Sequence, residues 1–171
     1  MRCTVPDGRG DALWKDETMI IRATRHEDQA DLRHVLDETG LFPSELLADM
    51  LGGFLSGGQN ADLWLTCEVE AKAVGFCYCE PETLAEGTWN MLGLAVLPHV
   101  QGKGFGTALV AGLEAALRNR GQRILIADTS GTAAFAGARA FYAKSGYTEE
   151  ARIRDFWAEG DDKVVYWKSL G

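Results

Sequence analysis

Leu94-Ala95-Val96-Leu97-Pro98-His99-Val100-Gln101-Gly102-Lys103-Gly104-Phe105-Gly106-Thr107 is the stretch that decides the fold. Its first half ends the run Met91 to Leu97, which is nearly all apolar, as a central strand covered on both faces requires. Pro98 stops that strand. Beyond the glycines, Leu109, Val110, Leu113, Ala116 and Leu117 recur at helical spacing, and Arg118, Arg120 and Gly121 put cations and a glycine at the expected helix end. A glycine-rich turn between a buried strand and a helix N-terminus has the outline of an anion site. The first helical amides have no internal partner, and glycines remove the side chains that would hold a phosphate away from them. Lys103 adds a full positive charge. The spacing fits neither G-x-x-x-x-G-K-[ST] nor G-x-G-x-x-G, so mononucleotide and dinucleotide sites are weaker readings, and a packing turn is the plain alternative.

On the N-terminal side of this stretch, residues 1–18 mix Gly, Pro and charges without periodicity and read as a tail or loosely docked arm, so the domain spans 19–171. Met19 to Ala23 reads as a short strand. Thr24 with Glu27 forms a capping box for a helix carrying Leu32, Val35 and Leu36 to Gly40. Ser44 is placed to cap a second helix with Leu46, Leu47, Met50, Leu51, Phe54 and Leu55, ended by Ser56-Gly57-Gly58. Leu63, Leu65, Cys67 and Val69 alternate with polar or aromatic residues as in a half-buried strand, with Lys72 to Glu80 as its hairpin partner. After the long helix come a strand from Arg123 to Thr129, a helix from Ala133 to Ser145 closed by Gly146, and two strands around the turn Glu159-Gly160-Asp161-Asp162.

With 171 residues, 46% of them hydrophobic, the chain fits one domain with a continuous core. Its net charge of -8 repels phosphate backbones and acidic membranes, which argues against nucleic acid as a partner and suits a cationic one. Acidity for solubility alone is the plainer reading. Nothing approaches the roughly 18 apolar residues of a membrane span, and the N-terminal residues are too polar for a signal peptide. Cys3, Cys67, Cys77 and Cys79 form neither a CxxC pair nor zinc spacing, and His26, His34 and His99 are scattered, so no metal is expected and a reducing cytoplasm is the simplest setting.

Gln101-Gly102-Lys103-Gly104-Phe105-Gly106 resembles the Q/R-x-x-G-x-G/A acyl-CoA motif of the GNAT acetyltransferase superfamily, between the fourth strand and the third helix where that family has it. Ala138-Arg139-Ala140-Phe141-Tyr142-Ala143-Lys144-Ser145-Gly146-Tyr147 resembles the A-x-x-F-Y-x-K-x-G-F/Y pattern of the family's fourth helix. The order of elements agrees from Met19 onward. The resemblance implies an α/β (α+β) fold with a mixed, mostly antiparallel sheet of about seven strands, splayed between strands 4 and 5 and flanked by about four helices. It further implies N-acetyl transfer from acetyl-CoA to a primary amine, on a small molecule or a peptide. Backbone groups of Leu94, Ala95 and Val96 would pair with the pantetheine arm like an added strand. Amides of Gln101, Gly102, Lys103, Gly104, Phe105, Gly106 and Thr107 would wrap the pyrophosphate. Tyr142 would be the general acid that protonates the departing thiolate.

The chain departs from the family twice. Where an asparagine often bonds the CoA arm, seven residues before the tyrosine, stands Phe135, leaving Ser130 or Thr132 as substitutes. Where some members have a glutamate base in the fourth strand stands Asn90, which takes no proton. Glu80, Glu82 and Glu86 are nearby carboxylates, each also readable as a solvated loop charge. These departures motivate a second reading, a non-catalytic acyl-CoA-binding module that senses or regulates. Cys77 and Cys79 share a strand face and are either an acyl-accepting or redox pair or, more ordinarily, small buried hydrophobes. Trp157, Phe42 and Asp155 are candidates for the acceptor side, with core packing as the alternative for the aromatics, and a second copy of the chain is a further partner to consider.

Overall fold

A computed structural model describes residues 19–56 and 62–171; the expected N-terminal arm and the Gly57-Gly58 terminator of the second helix lie outside the described residues. Among the described residues seven strands form one sheet: β1 (Ile20–Ala23), β2 (Leu63–Val69), β3 (Lys72–Pro81), β4 (Thr88–Val96), β5 (Ile124–Ser130), β6 (Thr148–Ala158) and β7 (Asp161–Ser169). Their order is β1-β2-β3-β4-β5-β7-β6, with β4 and β5 parallel and every other neighbour antiparallel. The helices are α1 (Gln29–Thr39), α2 (Leu47–Leu55), α3 (Phe105–Asn119) and α4 (Ala136–Lys144). The fold read from the sequence, a splayed mixed sheet with four helices, is the fold observed.

Side-chain direction divides the helices between the two faces. Leu65 and Cys77, paired across β2 and β3, face α3: the Cys77 thiol donates to Leu109 O at 3.8 Å, and a Cβ on Gly112 would lie 3.6 Å from Leu65. On the opposite face Trp64 stacks between Phe76 (5.7 Å) and Tyr78 (4.3 Å), and Asp31 of α1 accepts the Ala73 N–H at 3.0 Å. β2 is therefore covered twice, and the half-buried strand expected from its alternation is instead buried on both faces, Trp64 and Thr66 included. Thr66 tolerates this because its hydroxyl meets Thr24 Oγ1 at 2.9 Å and donates to Asp28 at 3.2 Å.

The same contact corrects the expected capping box. Thr24 turns to Thr66, Glu27 pairs with Arg25 at the surface, and Asp28 instead accepts the Arg25 N–H at 2.8 Å and two guanidinium bonds from Arg22, each 2.7 Å. Burial alone would lift the Asp28 pKa; Arg22 and the Arg25 amide outweigh it and hold the carboxyl below its ordinary value. Ser44 likewise makes no side-chain cap for the second helix, whose entry is a short 3-10 turn, Ser44–Leu46, behind Pro43. Among the described residues no helix is long and apolar enough to cross a membrane, and no three His, Cys, Asp or Glu side chains are gathered to hold a metal ion.

Candidate active site

The bend after β4 leaves backbone donors in the open. Gly102 and Gly104 have φ of 79° and 90°, a region costly for residues with a Cβ, and a Cβ on either would meet nothing within 4 Å. The first bond inside α3 runs from Ala108 N–H to Gly104 O at 2.9 Å, so the amides of Phe105, Gly106 and Thr107 have no acceptor within the helix. Lys103 and Thr107 are exposed at the same rim, as is His99. Val100, 3% exposed, roots the bend in the core, and Gly106 lies against the Phe141 ring of α4. A helix start whose first amides have no acceptor within the helix fits a phosphate-bearing ligand.

Beside the bend, β4 and β5 part company. They pair from Thr88↔Ile124 to Met91↔Ala127 and no further, so the second half of β4 has lost its neighbour. Leu97 N–H donates across to Val74 O at 2.9 Å; two-residue alternation then turns the backbone groups of Leu94 and Val96 away from β3, toward the gap. Ala95 is turned to β3. The Val96 carbonyl is not open on that edge, because Gln101 donates its Nε2 to it at 2.9 Å; this side chain docks the bend onto the strand end. Leu92 is an extra residue between Tyr78↔Gly93 and Cys79↔Met91, a bulge that leaves its side chain 45% exposed in an otherwise buried stretch.

Tyr142 approaches the gap from the α3 face. It is 5% exposed and packed on Phe141, Tyr147 and Tyr166 at ring distances of 5.6, 5.7 and 5.3 Å. Burial first, then the Asp128 carboxylate and Cys77, push its phenol well above the ordinary tyrosine value. Ser130 and Thr132 are bonded to each other at 2.8 Å, Ser130 also to Asp161 at 2.6 Å, and Arg139 donates to both of their carbonyls at 2.7 Å, so these hydroxyls serve the end of β5.

From the other face come Asn90 and Asp128. Asn90 is 9% exposed and donates Nδ2 to Glu82 at 3.1 Å and to Asp128 at 3.4 Å. Lys163 of β7 sits on Asp128 at 2.6 Å. Of the three glutamates noted in the sequence, Glu82 alone reaches this cluster; Glu80 and Glu86 are exposed at the strand ends. Asp128 escaped the sequence reading, although an acid after Ile124-Leu125-Ile126-Ala127 was a legible signal. Cys77 and Cys79 are fully buried, and burial pushes the Cys79 thiol up to about 12 and Cys77 well above its usual value, which suits small core hydrophobes and no nucleophile. Phe42 packs edge-on to Phe76 at 6.3 Å and belongs to the core periphery. Asp155 accepts the Gly160 N–H at 2.7 Å and shapes the last hairpin, while Trp157 stands half exposed.

The model of the GNAT acetyltransferase family matches residues 22–147. Among solved structures, the chain is similar to a GNAT-family protein from Desulfovibrio desulfuricans, with TM-score 0.82 and 28% identity over 90% of this chain and 100% of that one. It also shares its fold with the ribosomal-protein-S18-alanine N-acetyltransferase of Escherichia coli (TM-score 0.72, 19% identity, 90% and 95% covered). A third likeness is to yncA of Salmonella typhimurium, solved with its cofactor acetyl-CoA (TM-score 0.72, 19% identity, 90% and 95% covered). No curated protein matches the chain.

Proposed function

The chain belongs to the GNAT acetyltransferase family, and from that membership we propose that it moves an acetyl group from acetyl-CoA to a primary amine by direct attack, both substrates being bound together. One observation carries the reading: the first amides of α3, which have no acceptor within the helix, lie at one end of the gap whose wall holds the backbone groups of Leu94 and Val96. Amides from Gly102 to Thr107 grip the diphosphate, and Leu94 with the Val96 N–H pairs with the pantetheine arm. Gln101 holds the bend in place instead, its N–H donating to Pro98 O at 3.3 Å and its side chain to Val96 O. The acetyl-CoA in yncA supports the same ligand for the same fold.

With the thioester in the gap, proximity to the amine supplies most of the acceleration. A strand amide near Leu94 faces the carbonyl oxygen as negative charge develops on it. The neutral amine nitrogen bonds to the acetyl carbon, the carbon–sulfur bond breaks as Tyr142 gives its proton to sulfur, and the proton the nitrogen sheds returns through solvent to the Tyr142 phenolate. A phenol raised by burial is fully protonated at neutral pH and so is always ready to donate.

Free thiol released from acetyl-CoA in the presence of a panel of polyamines, amino acids, aminoglycosides and peptide N-termini tests the reading. Release that requires an acceptor is expected. CoA binding with no release from any member of the panel favours the non-catalytic module instead.

A further inference from the structure

At the vertex where β4 and β5 separate, the chain presents a polar cluster that the transfer chemistry above does not use. Asp128 is the first β5 residue beyond the last β4–β5 pair, and Asn90 lies one residue before the end of that pairing on β4. Both project to the face opposite α4: Ala127 pairs with Tyr166, which packs on Tyr142, so the next residue along β5 faces the other way. The Asp128 charge nevertheless helps to raise the Tyr142 phenol from across the sheet.

Two acceptor oxygens in this cluster are buried and have no donor, Asn90 Oδ1 and Asp128 Oδ1. The Asn90 orientation follows from its partners, since both of the atoms its Nδ2 meets are carboxylate oxygens, which only accept. Orphaned buried acceptors are costly and call for a donor. Among the described residues, the cation that lies on this cluster is Lys163. Its ammonium lies on Asp128 Oδ2 at 2.6 Å, 4.9 Å from the Phe156 ring centroid and 5.8 Å from that of Trp157. Those rings are about half exposed and stand at 85° to each other, forming two walls of a corner open to solvent. Glu82 and Asp128 set two carboxyl groups against that one ammonium, so the cluster can take a further positive charge.

We propose that Asp128 and Asn90 form the seat of the acceptor's primary ammonium, beneath the aromatic corner of Phe156 and Trp157, and that Lys163 fills this seat until an acceptor displaces it. The chain's own primary ammonium reports the chemistry of the seat: a carboxylate below, π faces at the side, and spare acceptors for the N–H groups that Lys163 leaves unmatched. The negative charge of the whole chain draws such cations toward it. That the seated nitrogen is the one to be acetylated rests on the proposed acetyl transfer; that the seat takes a primary ammonium does not.

The test separates the two. Lys163→Ala removes a butylammonium from the seat, so n-butylammonium chloride is the probe, followed by the amide resonances of residues 128 and 163 in labelled protein. Saturable binding to Lys163→Ala is expected, at least tenfold tighter than to the native chain and lost in Lys163→Ala with Asp128→Asn; tetramethylammonium, which has no N–H, should bind at least tenfold more weakly. Equal affinity for all three proteins, or binding indifferent to Asp128→Asn, overturns the seat. Should the alanine variant fail to fold, Lys163→Met keeps the stem on the rings, and methylammonium replaces the longer probe with the same expected and contrary outcomes. Because no acetyl-CoA enters this titration, its failure leaves the transfer reading standing, and failure of acetyl transfer leaves the seat standing.

Discussion

Replacing Tyr142 with phenylalanine is expected to lower turnover by about a hundred- to ten-thousand-fold, the usual worth of a positioned general acid, while CoA affinity stays nearly unchanged. The separation is expected because the ring and the hydroxyl do different work. The ring fills a site between Phe141, Tyr147 and Tyr166, and phenylalanine retains that packing. Only the hydroxyl, the group proposed to donate the proton, is removed. A general acid must be protonated, and rate therefore falls as pH rises through its pKa. Burial and the Asp128 charge move that fall above the ordinary phenol value of about 10, so the native profile should show no decline from Tyr142 between about pH 7 and 9.5. Steady-state kinetics over that range, with calorimetry of CoA binding to both proteins, reads both halves. An unchanged rate in the variant removes Tyr142 from the chemistry.

Replacing Glu114 with alanine is expected to cost about 3 kcal/mol, at the lower end of what a broken buried ion pair costs. Glu114 is 5% exposed in the middle of α3 and gathers three donors: Lys168 of β7 donates to both of its oxygens at 2.7 and 2.9 Å, Arg118 donates at 3.1 Å, and so does the Tyr147 hydroxyl. Removing the carboxylate leaves the Tyr147 hydroxyl without its acceptor and the Lys168 ammonium with Ser145 O alone, in a mostly buried place. The loss stays at the lower end because the Arg118 and Lys168 side chains are 43% and 22% exposed and keep part of their hydration. For a chain of this length the melting temperature should fall by about 6 to 12 °C. Lys168 also donates to Ser145 O at 2.8 Å, the C-cap of α4, so the same substitution should loosen the helix that holds Tyr142. Glu114→Gln, which keeps an acceptor oxygen, should lose less; equal losses would mean that the charge contributes nothing.

What could be read from the sequence was what depends on neighbours in the chain. The run into Pro98, the glycines of the bend and the helical spacing after them are local, and β4, the bend and α3 appear as expected. What could not be read depends on partners far along the chain. Thr24 bonds Thr66, 42 residues away, and so leaves its expected cap to Asp28. Trp64 and Thr66 are buried because helices cover both faces of β2, a fact of the tertiary arrangement that alternation along one strand does not contain. The bulge at Leu92 exists only in the pairing of β4 with β3. The cluster of Glu82, Asn90, Asp128 and Lys163 draws one residue from each of four separate segments, and no spacing within any of them announces it.

The central claim, that the bend after β4 grips the diphosphate of CoA, is tested most directly by titrating CoA into the native chain and into Gly104→Val in a calorimeter. Gly104 holds φ at 90°, where a β-branched residue is strained, so the variant should displace the first amides of α3 while the core stays folded by circular dichroism. One CoA per native chain, with affinity reduced at least tenfold in the folded variant, is the expected result; no heat with the native chain, or the same affinity in both, would contradict it.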